Sequence, residues 1–310
     1  MAGRDKRGKV PRLPTPPGQG GPRRPTAARP AVGGSGRLGH DFRGAASSQS
    51  VTAAHRHGGD APERVLIYGR NPLREALRGR RRVRQVWLAE GRGGDEVRGL
   101  LAQWAAEGDA TPPAVTRLAL DALGALAGTV DHQGVVAEVD PFPYVDPDVL
   151  LADADLIVVL DRVQDPQNLG AIIRTAEVAG AGVVISRHRS VHITGAVVKA
   201  SAGATERASV AEVRNLTDFL TTAKSGGFWV YGAAGEGPAA YDVQDYSGKS
   251  IIVLGSEGEG LGQRVAQACD VLVRIPLLGR VGSLNVSVAA GVLLFEALRQ
   301  RRGAHRGEPG

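Results

Sequence analysis

The sequence has little sulfur and few aromatic residues. Its 310 residues include one cysteine, Cys269, and aromatic residues make up 4% of the chain. A single thiol excludes an internal disulfide framework, which argues against a small secreted scaffold and favours the reducing cytoplasm. The sequence also lacks an N-terminal apolar segment of the signal-peptide type and any apolar run of membrane-spanning length. We therefore expect a cytoplasmic protein without a membrane partner.

The cysteine, histidine and carboxylate residues lack the spacing of a metal site, so no metal cofactor is expected. What the sequence does have is 42% hydrophobic residues, enough for a sizeable core. Its net charge of +6 is unevenly distributed. Residues 1–64 hold 12 Lys and Arg against 4 Asp and Glu, whereas residues 151–310 hold 16 of each sign. The basic excess therefore belongs to the N-terminal segment.

Residues 1–60 are rich in proline, glycine, arginine and serine, as in PRLPTPPGQGGPRRPTAARP. Such a segment buries too little apolar surface to offset its ordering entropy, so we predict a disordered basic arm. A cationic arm suits a polyanion such as RNA. A purely solubilising role is an equal alternative on composition.

Two folded units are predicted after the arm. Residues 64–140 alternate strands (VLIYG, VRQVWLA, AVTRLAL, GVVAEV) with helices and form a small α/β unit. A linker is predicted at 141–150, where DPFPYVDPD contains three prolines. Residues 151–303 alternate helices with the continuously apolar strands LIVVL, GVVI, ASVAEV, FWVYGA, SIIVLG and DVLVRI. Such strands are typical of a parallel sheet covered on both faces, so the fold class is α/β; residues 304–310 are predicted to be a flexible tail.

The stretch SIIVLGSEGEGLG places a strand before a glycine-rich loop. It does not match the dinucleotide fingerprint GxGxxG, and the GKS at 248–250 lacks the glycine that a phosphate loop requires at position 243. Glu257 and Glu259 in this loop would repel a pyrophosphate, but they are compatible with a cofactor that has a positive centre, such as S-adenosylmethionine. The alternative is a surface turn.

Two further stretches combine strand ends with polar residues. In LDRVQDPQNLGAIIR, Asn168 either caps the following helix or serves a site, and Arg174 either serves a site or lies on a solvated face. In IPLLGRVGSLNVSVAAG, Ser283 and Asn285 precede a helix from Val286 that we predict to be buried on almost all sides. Only one of the two can occupy the cap, so the other is free for another task.

Three motifs occur together and in order: NLGAIIR at 168–174, GSEGEGL at 255–261 and IPLLGRVGSLNVSVAAGV at 275–292. The chain thereby resembles the SpoU (TrmH) family of RNA ribose 2′-O-methyltransferases of the SPOUT superfamily. YGRNPLREAL and HQGVVAEV resemble the small RNA-binding domain of members that modify guanosine in large-subunit (23S) ribosomal RNA. The likeness extends over about residues 64–302, and the basic arm lies outside it.

The resemblance implies a trefoil knot in the catalytic domain, S-adenosylmethionine as cofactor, and a homodimer with sites near the subunit interface. It implies cofactor contacts, largely through backbone groups, from Gly255, Ile275 and Leu284. It implies a catalytic constellation of Asn168, Arg174, Glu257, Ser283 and Asn285. Because an arginine is a poor base, we favour a version in which Arg174 acts through an RNA phosphate while Asn168 and Glu257 hold it in place.

The segment ALRGRRRVRQVW carries five arginines between a helix and a strand of the small unit. We predict that they contact RNA phosphates, with a solvated charged loop as the alternative: Arg78, Arg80, Arg81, Arg82 and Arg84. Three other functions stay open at this point. They are a tRNA methyltransferase of the same family, a non-catalytic RNA-binding protein, and a nicotinamide-dependent oxidoreductase.

Overall fold

The computed structural model describes residues 65–91, 93–107, 112–188 and 190–306. The arm predicted over residues 1–60 lies outside the described residues, as does the end of the predicted tail. None of the helices in the described part of the chain combines the length and apolar character needed to cross a bilayer.

The first unit is a four-stranded sheet with three helices. Its strand order is β1-β4-β2-β3, in which β4 runs antiparallel to β1 and β2, while β3 is parallel to β2. The elements are β1 Val65–Tyr68, α1 Arg70–Arg78, β2 Val83–Ala89, α2 Gly93–Glu107, β3 Ala114–Leu118, α3 Leu120–Ala127 and β4 Val135–Val139.

The second unit is built on a seven-stranded sheet of order β7-β6-β5-β10-β8-β11-β9, and every pair is parallel. This confirms the predicted α/β class. The strands are β5 Leu156–Leu160, β6 Gly182–Ser186, β7 Val210–Val213, β8 Trp229–Ala233, β9 Ala239–Ala240, β10 Ser250–Leu254 and β11 Val271–Arg274. The helices are α4 Pro147–Asp153, α5 Pro166–Ala179, α6 Gly195–Ala200, α7 Leu216–Ser225, α8 Gln263–Ala268 and α9 Val286–Arg306.

Strand β5 is buried on both faces, which explains its unbroken apolar sequence. Val158 belongs to one hydrophobic cluster, and its neighbours Ile157 and Val159 belong to another on the opposite face. Side chains of a strand alternate between faces, so a strand covered on both sides needs apolar residues at every position. The first cluster also includes residues of the small unit such as Ile67, so the two units share a continuous core.

The junction of the two units also contains a buried ion pair. Arg81 of the small unit bonds through two guanidinium nitrogens to the carboxylate of Glu206, and both side chains are 1% exposed. The guanidinium also lies over the ring of Phe142, at 5.8 Å from its centroid. Helix α6 approaches β1 so closely that a Cβ at Gly195 would lie 2.2 Å from the carbonyl oxygen of Leu66.

The structure differs from the sequence prediction at two boundaries. Helix α4 begins inside the segment predicted as a linker, because Asp146 accepts from the backbone N–H of Asp148 at 2.9 Å and Pro147 occupies the first turn. Helix α9 continues to Arg306, which is three residues into the predicted tail. The bounds proposed for the domains otherwise stay predictions.

The prediction that α9 is buried on almost all sides is wrong within a single chain. The buried residues lie on one face, at Val286, Ala290, Leu293, Leu294 and Ala297. Val288 and Phe295 on another face are 52% and 50% exposed. The apolar sequence therefore exceeds what the core of one chain requires.

Candidate active site at the carboxyl edge of the sheet

Three predicted site residues meet at the carboxyl edge of the parallel sheet. The Nδ2 of Asn168 donates to the Oε1 of Glu257 at 3.0 Å. The Nδ2 of Asn285 donates to the Oδ1 of Asn168 at 2.9 Å and to the Oε1 of Glu257 at 2.6 Å. The residues follow β5, β10 and β11 in sequence, and parallel strands bring the loops at their carboxyl ends to one edge. We call these three residues the amide–carboxylate cluster.

Asn285 both caps helix α9 and belongs to the cluster. Its Oδ1 accepts from the backbone N–H groups of Ser287 and Val288 at 2.9 and 3.3 Å. Its Nδ2 supplies the bonds to Asn168 and Glu257. An asparagine amide has both an acceptor and two donors, so one side chain can cap the start of the helix and organise the site. Ser283 is exposed, and its hydroxyl has no partner among the residues that the structure describes.

The alternative that Asn168 caps helix α5 is wrong. Asp165 is the cap, accepting from the backbone N–H of Gln167 at 3.0 Å, and Pro166 begins the helix. Asn168 therefore lies within the first turn, 8% exposed, and its amide is free to bond to Glu257 and Asn285. The DP pair before Asn168 was the sequence signal for this start.

A cavity of about 960 Å³ lies beside the cluster. Its lining includes all three residues predicted to contact the cofactor, together with Glu257, Ser283 and Asn285. Apolar wall residues include Leu254, Leu261, Val273 and Ala289. A smaller cavity of about 290 Å³ is lined by Asn168 and the loop at 162–165, and it shares Ser256, Glu257, Glu259 and Val286 with the larger one. The cluster thus lies between two spaces.

The glycine-rich loop, residues 255–262, packs on itself beside the larger cavity. A Cβ at Gly255 would lie 2.1 Å from the carbonyl carbon of Gly260 and 2.4 Å from the nitrogen of Leu261. Contacts this short with backbone exclude any side chain. Gly258 and Gly260 have φ of 88° and 66°, so the turn also uses the left-handed region that glycine tolerates. Glycine is required here for close backbone approach.

Arg174 is not part of the cluster in its own chain. It is exposed on α5, and its guanidinium has no partner among the described residues. Asn168 and Glu257 bond to Asn285 and leave Arg174 unbound, so the expectation that they hold Arg174 in place is wrong within one chain. Six residues separate Arg174 from Asn168, which places the two on different faces of the helix.

The sole cysteine, Cys269, is a partly buried thiol between α8 and β11. Its Sγ lies 3.3 Å from the carbonyl oxygen of Val265. Burial raises the pKa of Cys269 to about 12, with Asp270 adding to the effect. The thiol is therefore neutral at physiological pH, which argues against a nucleophilic role.

No group of three or more His, Cys, Asp or Glu residues is clustered for metal binding within the described ranges.

Two family models match the chain. Residues 155–295 match the SpoU rRNA Methylase family, and residues 66–145 match the model for RNA 2′-O ribose methyltransferase substrate binding. The 23S rRNA (guanosine-2′-O-)-methyltransferase RlmB of Pseudomonas syringae pv. tomato is 43% identical over 243 residues, which are 76% of this chain and 95% of that protein. The chain belongs to the SpoU family of RNA methyltransferases. The resemblance seen in the three motifs is confirmed, and the oxidoreductase alternative is excluded.

Solved structures agree with this membership. The SpoU methyltransferase AviRb from Streptomyces viridochromogenes, in complex with AdoMet (S-adenosylmethionine), has a TM-score of 0.64 and 26% identity, covering 77% of this chain and 91% of that one. An AdoMet-bound rRNA methyltransferase from Sinorhizobium meliloti has a TM-score of 0.63 and 28% identity, covering 76% and 87%. The fold of this SpoU methyltransferase is thus that of known relatives. The trefoil knot itself stays a prediction.

The five arginines predicted to contact RNA in the substrate-binding unit of this SpoU methyltransferase differ in their surroundings. The prediction that Arg81 contacts RNA is wrong, because its guanidinium is buried against the carboxylate of Glu206. Arg80 donates to the carbonyl oxygen of Ala208 at 2.7 Å, and Arg84 pairs with Asp140. Arg78 and Arg82 are exposed, and neither has a partner among the described residues. These two keep their charge available for phosphate.

Two residues of the site were not predicted from the sequence. Asp161 and Arg162 directly follow β5, and both contact the glycine-rich loop. Asp161 is 5% exposed and accepts from the backbone N–H of Gly262 at 2.6 Å. The signal was a pair of charges placed immediately after a fully apolar strand, where ligand sites of parallel sheets form.

Proposed function

We propose that this chain transfers a methyl group from S-adenosylmethionine to the ribose 2′-hydroxyl of a guanosine in 23S rRNA, as a homodimer. The observation that carries the proposal is the amide–carboxylate cluster, which lies between a large cavity and a smaller one. Support for the substrate comes from the RlmB relative and from the substrate-binding unit.

The larger cavity fits an adenosyl cofactor. Its volume of about 960 Å³ is ample, and its lining combines closely packed loop backbone at Gly255 with apolar side chains such as Val273 and Ile275. Glu236 and Glu257 give it acidic character. Carboxylates favour a positive centre over a pyrophosphate. When bound there, S-adenosylmethionine supplies an electrophilic methyl group on a positively charged sulfur.

The cluster orients the acceptor beside this cavity. Asn168 and Asn285 fix the Glu257 carboxylate through two hydrogen bonds, and a third bond joins the two amides to each other. A ribose hydroxyl is a weak nucleophile at neutral pH, and the site must hold it in line with the methyl group and help remove its proton. Ser283, whose hydroxyl has no partner among the described residues, contributes to the acceptor pocket.

Arg174 grips an RNA phosphate, which takes the proton of the hydroxyl. An arginine side chain is a poor base, but its planar guanidinium is a good bidentate ligand for phosphate. Its exposure on α5 leaves it accessible to RNA.

The homodimer forms through a face of α5 and α9. Val178, one turn after Arg174 on α5, is 61% exposed, and Val288 and Phe295 of the neighbouring helix α9 are half-exposed. A second copy covers these apolar side chains and brings its Arg174 to the cluster of the first. Burial in this interface explains why the α9 sequence is more apolar than the core of one chain requires.

Subunit mixing tests the role of Arg174. Arg174→Ala and Asn168→Ala are each expected to be inactive, while their mixture after subunit exchange regains about a quarter of wild-type activity, because one site of each mixed dimer is intact. Light scattering measures the molecular mass of the protein in solution and so distinguishes a dimer from a monomer. Phe295→Glu, in the proposed interface, is expected to yield monomers. An inactive mixture of exchanging dimers would place Arg174 in its own chain's site.

The substrate is tested with 23S rRNA and tRNA from cells that lack the gene. Purified protein and labelled S-adenosylmethionine are added, and mass spectrometry maps any new 2′-O-methyl group. Methylation of one guanosine in 23S rRNA is expected. Methylation of tRNA alone would establish the tRNA alternative, and RNA binding without methyl transfer would establish a non-catalytic protein.

A further inference from the structure

Arg162 has a backbone conformation that a non-glycine residue adopts only at a cost. Its φ is 61°, in the left-handed region, which it shares with Gln133 and Ala202 among the non-glycine residues that the structure describes. Such conformations concentrate at functional sites, where surrounding contacts hold them. Arg162 is the second residue after β5 and lines the smaller cavity next to the cluster.

Apart from an ion pair with the adjacent Asp161, the contacts of Arg162 go to the glycine-rich loop. One Nη forms an ion pair with Glu259, and the other donates to the carbonyl oxygen of Gly260 at 3.2 Å. The neighbouring Asp161 accepts from the N–H of Gly262. Two consecutive residues at the end of β5 thereby hold three positions of a loop almost a hundred residues away.

These contacts fix the turn that lines the larger cavity. The N–H of Gly260 donates to the carbonyl of Ser256 at 3.0 Å, which closes the turn, and Gly255 lies against the backbone of Gly260. Arg162 binds the same residue, Gly260, through its carbonyl oxygen. The guanidinium and Gly255 therefore both contact the carbonyl group of Gly260, the first through a hydrogen bond and the second through close backbone packing.

Arg162 also distinguishes the two carboxylates of the loop. Glu259 is paired with its guanidinium, whereas Glu257 accepts from two neutral amides and has no cationic partner among the described residues. One negative charge of the loop is neutralised, and the other remains at the cluster. A loop with two free carboxylates would repel itself, which would oppose the closely packed turn.

We propose that Arg162 is a positioning residue for the methyl donor: its left-handed backbone and its guanidinium together hold the turn Ser256–Gly260 in the shape that receives S-adenosylmethionine. The inference rests on the proposed function, because it takes the larger cavity as the donor site. It predicts that Arg162 affects donor binding without stabilising the fold as a whole.

Arg162→Gly separates these two effects, because glycine adopts a positive φ at no cost while the guanidinium is lost. We expect a melting temperature equal to or above that of wild type. We expect the Kd for S-adenosylmethionine by calorimetry to rise about tenfold, since two charge-assisted hydrogen bonds are removed. In steady state, KM for the donor should rise similarly while kcat changes by less than about threefold. Arg162→Lys, which keeps the charge without the fork, should recover part of the affinity.

Two matched controls leave the donor site intact. Ala202→Gly makes the same backbone change at φ 54°, and Arg187→Ala removes an arginine paired with Glu212 away from both cavities. Neither is expected to change the Kd. Glu259→Gln alone should weaken binding, and adding it to Arg162→Gly should weaken binding no further. A Kd within twofold of wild type for Arg162→Gly overturns the inference.

The cavity assignment is tested separately with Ala289→Trp and Ala234→Trp, each of which fills the larger cavity. If the folded tryptophan variants bind the donor as wild type does, the donor site proposed above is wrong. If they fail to bind while Arg162→Gly binds normally, only the role of Arg162 is wrong.

Discussion

The side-chain amide of Asn285 donates to the Oδ1 of Asn168 at 2.9 Å, joining two positions that are 117 residues apart. The oxygen of the same amide caps the first turn of helix α9. The start of this helix and the geometry of the candidate site are therefore set by one side chain, and the two functions use different atoms.

Asn285→Asp separates those functions. Aspartate caps a helix as well as asparagine does, so the melting temperature should stay near wild type. It cannot donate to Asn168, and its charge faces Glu257, so methyl transfer should fall roughly a hundredfold. Thermal melting and methyl incorporation into RNA measure the two effects. Asn215→Asp, at the cap of α7, is the matched control and should leave methyl transfer unchanged. Full activity in Asn285→Asp would contradict the assigned role of the amide.

Gly255→Ala should abolish donor binding. The added methyl group would lie 2.1 Å from the carbonyl carbon of Gly260, so the glycine-rich loop has to move. Titration with S-adenosylmethionine should give at least about a hundredfold weaker binding. Gly99→Ala is the control, because a Cβ there meets nothing within 4 Å. An unchanged affinity in Gly255→Ala would mean that the donor does not use this loop.

Arg81→Ala should destabilise the protein by roughly 3–5 kcal/mol, because Glu206 is left charged and buried without its partner. The double change Arg81→Met with Glu206→Leu should recover much of that loss, since the burial of an unpaired charge is removed. Chemical denaturation measures both. If Arg81→Ala unfolds like wild type, the ion pair does not stabilise the junction.

Arg78→Ala and Arg82→Ala should weaken RNA binding and leave the melting temperature unchanged. Each removes one exposed charge, so the slope of log affinity against log salt should fall by about one. Fluorescence titration of an rRNA fragment at several salt concentrations gives that slope. The same slope in both variants and wild type would show that these arginines do not contact phosphate.

Cys269 should react slowly with thiol reagents in the folded protein. Its pKa is raised to about 12 by burial, and the thiolate is the reactive form, so at pH 9 native labelling should be far slower than labelling in denaturant. Because folding favours the neutral thiol, its contribution to stability is complete below the unfolded pKa of about 8.5 and falls as the pH rises from there towards 12. As the chain has one cysteine, the labelling rate reports this residue alone. Equal rates in both states would contradict its burial.

The sequence by itself determined most of the helices and strands, the α/β class and the family. Continuous β-branched runs such as LIVVL specify buried parallel strands from local composition. Glycines and small polar residues at three strand ends carry the family resemblance, because a site that needs close backbone approach restricts residue type wherever it occurs. These features depend on residues that are neighbours in the chain, so the sequence alone is enough to predict them.

Only the tertiary structure decided which polar residues pair. Arg81 stands among four other arginines of similar appearance, and its burial depends on Glu206, 125 residues away. The ion pair of Arg162 likewise depends on a distant residue, Glu259. The exposed face of α9 could not be distinguished from its buried face, since both are apolar. Local sequence limits what a side chain can do, but the partner that satisfies a charge or covers a surface is set by how distant segments pack.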